Sequence, residues 1–175
     1  GSPLAGLLPG VHLVLEDATG ESAILEPTAG SMTVFRDPAY RVATNAPSFD
    51  TQMANLARYR PFGGELPPPG DVTALDRFAR ASYYLHYLPE PVDAAAALAG
   101  VSQVVATTAK PPGAVYPTRW ISAIDLTNLV CYFWNRNSPA VLWAELPVLL
   151  RDRAAAGALS LVAPDLNGDV TDLVR

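Results

Sequence analysis

Cysteine is nearly absent: 175 residues hold one, Cys131. No disulfide can form within the chain, and no cysteine-based zinc site can either. The lone thiol lies in the apolar run "NLVCYFW", where it reads as a small buried hydrophobe rather than a reactive group. Lysine is as scarce, with Lys110 the single one among 12 basic residues. There is no basic block and the net charge is −5, which argues against nucleic acid as a partner. No apolar run reaches the roughly 18 residues that suggest a membrane-crossing helix. The opening "GSPLAGLLPG" has neither a positive n-region nor a long apolar centre, and it reads as no signal peptide. His12 and His86 are the only histidines. They fall in different elements, and no G-x-S-x-G elbow supports a serine hydrolase. Phosphate-binding glycine patterns are missing as well.

What is present is apolar surface. Half of the chain is hydrophobic, enough to bury a core, and the length fits a single domain over 1–175. "VHLVLED", "SAILEP" and "SMTVFRD" read as a strand meander with short turns, and "RVATN" as a fourth strand. The period then changes. Phe49, Met53 and Leu56 form a helical stripe, with Ser48 as the cap and Asp50 favouring the first turn. "DVTALDRFARASYYLHYL" reads as a second helix capped by Asp71 or Thr73, in which Asp76 and Arg80 are spaced for an ion pair. A third helix is expected from Val92 to about Thr107. "TRWISAIDL", "LVCYFWNR" and "AVLWAEL" read as strands. "LPVLLRDRAAAGA" reads as a helix and "LSLVA" as a last strand. Strands, helices and strands again give an α+β class. The near-continuous apolar strands fit sheets covered on both faces.

Two local patterns carry less than they suggest. "DLNGD" (Asp165 to Asp169) imitates the start of a calcium loop, but Val170 stands where the loop needs glycine; Asn167-Gly168 reads as a tight turn. Phe78, Tyr83, Tyr84 and Tyr87 crowd one helix, and core packing is the expected role. No metal site and no cofactor are expected.

Two ordered stretches carry more. "VATNAPSFDTQMANLARY" followed by "LPPPGDVTALDRFARASY" resembles the paired signatures of the choloylglycine hydrolase family, which includes penicillin V acylases and conjugated bile-salt hydrolases. Thr44-Asn45, Pro47, Phe49-Asp50, Asn55-Leu56, Tyr59, Pro69-Gly70-Asp71, Arg77-Phe78 and Arg80-Ala81 match the family style. The similarity runs roughly from Val11 to Leu146. The resemblance implies a four-layer αββα sandwich of the N-terminal-nucleophile hydrolase type, with this chain as its C-terminal part. It implies cleavage of a linear amide by an N-terminal cysteine. That residue's own α-amino group, of ordinary pKa about 7.7–8.0, moves the proton. Asn45 falls on the family's oxyanion-hole asparagine and Arg77 on its catalytic arginine. Without the motif, Asn45 would read as a turn-capping side chain and Arg77 as a surface arginine.

The implied nucleophile has no counterpart here. Cys131 is in the wrong region, and Ser2 is neither terminal nor provided with a base. The expected arrangement is a heterodimer or higher oligomer in which a complementary chain carries the N-terminal Cys. A fragment, or a binding or scaffold protein that has lost its chemistry, is the alternative. A half-sandwich alone would expose an apolar sheet face and unpaired edges, so something should cover them. The implied substrates are N-acylated small molecules: phenoxyacetyl penicillins, acyl-homoserine lactones, conjugated bile acids or other N-acyl amino acids.

Overall fold

A computed structural model of the chain describes residues 11–28, 31–151, 158–160 and 165–174. They fall into two compact units, Gly1–Pro89 with Ala106–Thr108, and Glu90–Val105 with Ala109–Arg175.

In the first unit, β1 (Leu13–Glu16), β2 (Ser22–Thr28) and β3 (Ser31–Phe35) form an antiparallel meander in the order β1-β2-β3. The turn after β1 closes because the Asp17 carboxylate accepts from the Thr19 amide and hydroxyl. Cross-strand register sorts the side chains by period two. Val14, Ile24 and Phe35 stand opposite one another on one face, while Leu13, Leu25 and Val34 share the other. The first face receives α1 (Phe49–Leu56) and α2 (Ala74–His86). Ser48 caps α1 and Thr73, rather than Asp71, caps α2 through its hydroxyl. The core is Ile24, Phe49, Leu56, Tyr59, Phe78 and Ala79, with Phe35, Tyr40 and Met53 packed around it. The Phe49 ring lies 4.8 Å from Phe35, 5.0 Å from Tyr40 and 6.1 Å from Phe78. Burying each of these two phenylalanines, Phe49 and Phe78, is worth about 1.5–3 kcal/mol.

Three expectations are corrected here. "RVATN" is not a strand; Arg41 to Thr44 has no ladder partner. Side chains take the Thr44 backbone instead: its amide donates to Gln52 and its carbonyl accepts from His12. The Asp76–Arg80 pair does not form. Arg80 turns its guanidinium to the carbonyls of Thr107, Pro69 and Asp71, which ties the loop before α2 to the helix. Core packing holds for Phe78, but Tyr84 and Tyr87 are 47% and 61% exposed and touch chiefly other rings of the same helix.

In the second unit, α3 (Ala94–Ala106) precedes β4 (Trp120–Asp125), β5 (Val130–Asn135), β6 (Val141–Glu145), the short α4 (Leu146–Leu149) and β7 (Gly168–Asp169). The sheet order is β4-β5-β6-β7, with β7 parallel to β6 and the rest antiparallel. Asp125 closes the β4–β5 hairpin by accepting from the amides of Thr127 and Asn128 and from the Asn128 side chain. Leu142, Ala144 and Val170 form this unit's core, with Phe133, Leu149 and Leu166 against it. Asp169 of the calcium-like run gives its carboxylate to the Thr171 amide and hydroxyl. Most of the expected helix after Leu149, and the expected strand beyond Ser160, lie outside the described residues.

The loop after α1 depends on one glycine. Leu66 exchanges backbone hydrogen bonds with Arg58 and Arg60, which brings Gly64 hard against the end of the helix. A Cβ at Gly64 would run into the backbone carbonyl of Arg58. Gly64→Ala is expected to lower stability by about 1–3 kcal/mol, because backbone rather than a side chain must move. Chemical denaturation of the chain checks it, and a change within about 0.5 kcal/mol, the range of ordinary surface substitutions, would refute it.

Candidate functional site

The corner between Arg41 and α1 turns through Asn45, Ala46 and Pro47, and the Ala46–Pro47 peptide is cis. Neither sheet nor helix bonds are available to its carbonyls, so other groups must meet them. Gln52, on α1, is fully buried at 0% exposure. Its Nε2 donates to the carbonyls of Pro47 at 2.7 Å, Asn45 at 2.9 Å and, more weakly, Thr44 at 3.4 Å. Its Oε1 accepts from the Thr44 hydroxyl at 2.9 Å and the Thr44 amide at 3.3 Å. Amide and carbonyl ends of the side chain cannot be exchanged in this setting, since three acceptors face one end and two donors the other.

A second group holds the corner from the sheet side. His12, its side chain 2% exposed, donates from Nδ1 to the Thr44 carbonyl, and its Nε2 is 2.9 Å from Glu26 Oε2. The same Glu26 oxygen accepts from the Phe49 amide at 2.6 Å. That amide opens α1 and has no partner within the helix, so the carboxylate stands where an anion is favoured. His12 is thus bound into the structure, and His86 is exposed with its ring against Phe62 and Tyr87.

Asn45 is exposed, and only its backbone carbonyl is bonded. Its side-chain amide has no hydrogen bond among the described residues. Ser48, not Asn45, caps the following helix. The Asn45 amide is therefore free to donate to a group outside this backbone.

Arg77 presents the same kind of vacancy in a cation. It is half-buried on α2, and its Nε is shielded from solvent with no hydrogen-bond partner among the described residues. Burial first, and then the neighbouring positive charge of Arg80, hold its guanidinium below the usual arginine range. The corner and this helix meet directly. The Thr44 hydroxyl oxygen lies 3.0 Å from the Ala74 carbonyl oxygen, so its one hydrogen is shared between that carbonyl and Gln52 Oε1. Thr44 is next to Asn45, and Ala74 precedes Arg77 by one helical turn, on the same face. Asn55 makes a further link, its side-chain amide donating to the Leu75 carbonyl at 3.4 Å. Cys131 stands in the other unit, half-buried in β5 opposite Ile124 and Ala144. Ser2 lies outside the described residues.

Sequence reasoning passed over Gln52, His12 and Glu26 as parts of this corner. Gln52 carried a signal: it interrupts the apolar stripe of Phe49, Met53 and Leu56, and a polar residue on a buried face must be hydrogen-bonded. His12 and Glu26 carried none, because only strand register sets them side by side.

The family model of linear amide C–N hydrolases, choloylglycine hydrolase family, matches residues 3–150. A penicillin V acylase of Pectobacterium atrosepticum is 31% identical over 155 residues, covering 78% of this chain and 41% of that protein. The solved structure of penicillin V acylase from Agrobacterium tumefaciens superposes with a TM-score of 0.79 at 29% identity, covering 94% of this chain and 56% of that one. A conjugated bile acid hydrolase variant from Clostridium perfringens shares the fold, with a TM-score of 0.62 at 20% identity over 78% of this chain and 50% of that one. The chain thus spans about half the length of the relatives it matches.

An unpaired, half-buried cation destabilises the fold that holds it. Its lowered pKa means that folding disfavours the charged form. The guanidinium remains protonated from about pH 5 to 9, so the penalty is constant there and disappears only as pH rises past the lowered pKa. Because the group is still partly exposed, solvent screening discounts this cost, and Arg77→Met is expected to leave stability unchanged or raise it by at most about 1 kcal/mol, with no pH dependence in that window. Denaturant midpoints at several pH values check this; a clear loss of stability would show that Arg77 holds the fold together.

Proposed function

This chain belongs to the choloylglycine hydrolase family of linear amide C–N hydrolases, and from that premise we propose that it supplies half of an amidase site. Its fold is α+β, of the N-terminal-nucleophile hydrolase type. The substrate is an N-acylated small molecule, of the kind cleaved by penicillin V acylases or bile-salt hydrolases. The nucleophile is an N-terminal cysteine on a complementary chain or segment outside these 175 residues, since Cys131 is held in a strand.

The reaction runs in two steps. The thiolate attacks the amide carbon, forming an S–C bond and moving charge to the carbonyl oxygen. The Asn45 amide donates to that oxygen, a contact stronger in the transition state than in the substrate. The tetrahedral species collapses, the C–N bond breaks, and the leaving amine takes a proton from the cysteine's α-ammonium group. Water then attacks the acyl-thioester, and the acid departs. Arg77 provides a fixed positive charge beside the sulfur, which favours the thiolate.

The observation that carries this reading is the pair of unused donors, the Asn45 amide and the buried Arg77 Nε, on elements joined at Thr44 and Ala74. The exposed Asn45 amide can meet water, but the buried Arg77 Nε cannot, and a buried polar atom left without a partner is uncommon in a purely structural role. The need for a complementary segment is supported by the meander's second face. Leu13, Leu15, Leu25 and Val34 lie on it, and Leu15 and Val34 are 56% and 49% exposed. An apolar sheet face of this kind asks for a cover.

The test is to isolate the chain from its natural source, sequence the N-termini of whatever co-purifies, and follow amine release from an N-phenoxyacetyl amide. A partner beginning with Cys, together with turnover, is expected. In that enzyme Asn45→Ala is expected to lower kcat by about 10²–10³ while the protein remains folded. Unchanged turnover removes Asn45 from the site. Absence of both the cysteine and the activity would leave a binding or scaffold role.

A further inference from the structure

We propose that Gln52 is a positioning residue: it fixes the direction in which Asn45 presents its amide, and so acts on catalysis without touching substrate. The inference rests on the reading of Asn45 as the oxyanion donor. It begins from what the corner lacks. Residues 45 to 47 form a bend with no ladder and no helical bonding, so side chains set the orientation of its peptide planes. His12 holds the Thr44 carbonyl, and Gln52 holds the rest. The Gln52 Nε2 meets the carbonyls on both sides of the cis peptide's first residue, those of Asn45 and Pro47, at 2.9 and 2.7 Å. Its Oε1 holds the amide and hydroxyl of Thr44, the residue before. Asn45 is therefore gripped through its own carbonyl and through its predecessor, which fixes its Cα–Cβ direction and leaves only two side-chain torsions free.

The chemistry requires an amide at position 52. A glutamate would set a carboxylate against three carbonyl oxygens in a site that is 0% exposed. A leucine would fill much of the volume and supply no donor. The amide alone offers hydrogens at one end and lone pairs at the other. An oxyanion donor must be held within a fraction of an ångström of its working position, and a displacement of about 1 Å costs on the order of 10² in rate. Rigidity behind an otherwise free side chain is therefore functional, whereas rigidity behind a surface asparagine would serve nothing.

The experiment is a double-mutant cycle in the active amidase, with kcat and KM measured for an N-phenoxyacetyl amide and the active fraction determined by titration. Gln52→Leu is expected to lower kcat by about 10², with KM changed less than about threefold. In the Asn45→Ala background the same substitution is expected to change kcat by less than about twofold, because the donor it served is gone. A full and equal loss of kcat in both backgrounds, or no loss in the first, overturns the positioning role and leaves Asn45 untouched. If Asn45→Ala alone leaves kcat unchanged, the oxyanion reading fails, and this inference with it. Should Gln52→Leu not fold, Gln52→Asn, which keeps an amide but falls one methylene short of the corner carbonyls, takes its place with the same expectations. Proton exchange at the Gln52 side-chain amide of the unaltered enzyme gives a further check. Protection is expected, and exchange as fast as that of an exposed glutamine would refute the grip.

Discussion

Every backbone polar group removed from water must find a partner, and the corner from Thr44 to Phe49 has neither a sheet ladder nor a helix to provide one. The first unit is arranged around that demand. Gln52 reaches back from α1, and His12 and Glu26 reach across from the meander, so that sheet, corner and helix are held by a few polar contacts inside an apolar shell. Around them Phe35, Tyr40, Phe49 and Phe78 exclude water, which strengthens each of these bonds and makes any unpaired group costly. Specific placement of the corner comes from this combination, since apolar packing alone would tolerate several orientations of the peptide planes.

Against that background the unbonded groups stand out. Arg77 and Arg80 are three residues apart on one helix. Arg80 is held by three carbonyls, while the Nε of Arg77 is buried without a partner. The pairing that helical spacing suggested, Asp76 with Arg80, gave way to carbonyls of the preceding loop and of Thr107 because an exposed i,i+4 ion pair is worth only about 0.3–0.5 kcal/mol. Several charge-assisted bonds to backbone outweigh it. Arg77 is left with a cation that the fold does not use, beside an asparagine corner that the fold does hold. These are the properties that the proposed roles, an oxyanion donor and a cation beside a thiolate, would require.

The second unit contributes a regular hairpin and its own small core rather than any of the proposed reactive groups. Its one thiol is flanked by apolar side chains in β5. The apolar second face of the first unit's meander agrees with the near-continuous hydrophobic runs of its strands: such strands belong to sheets meant to be covered on both sides.

The amino-acid sequence by itself determined what short-range physics controls. Ser48 and Thr73 cap the helices that follow them because the donor they satisfy lies three residues on. The Phe49, Met53 and Leu56 stripe and the β4–β5 hairpin were legible for the same reason, being patterns of spacing, whereas Asn45 and Arg77 were marked only by the resemblance of their two stretches to family signatures. Tertiary structure alone decided the rest. It denied "RVATN" a strand, because a strand exists only where a neighbouring edge is offered to it. It gave Thr44 a histidine 32 residues away and Arg80 a carbonyl 27 residues away. It also left Asn45 and Arg77 unbonded, since whether a polar side chain is free depends on everything that folds around it.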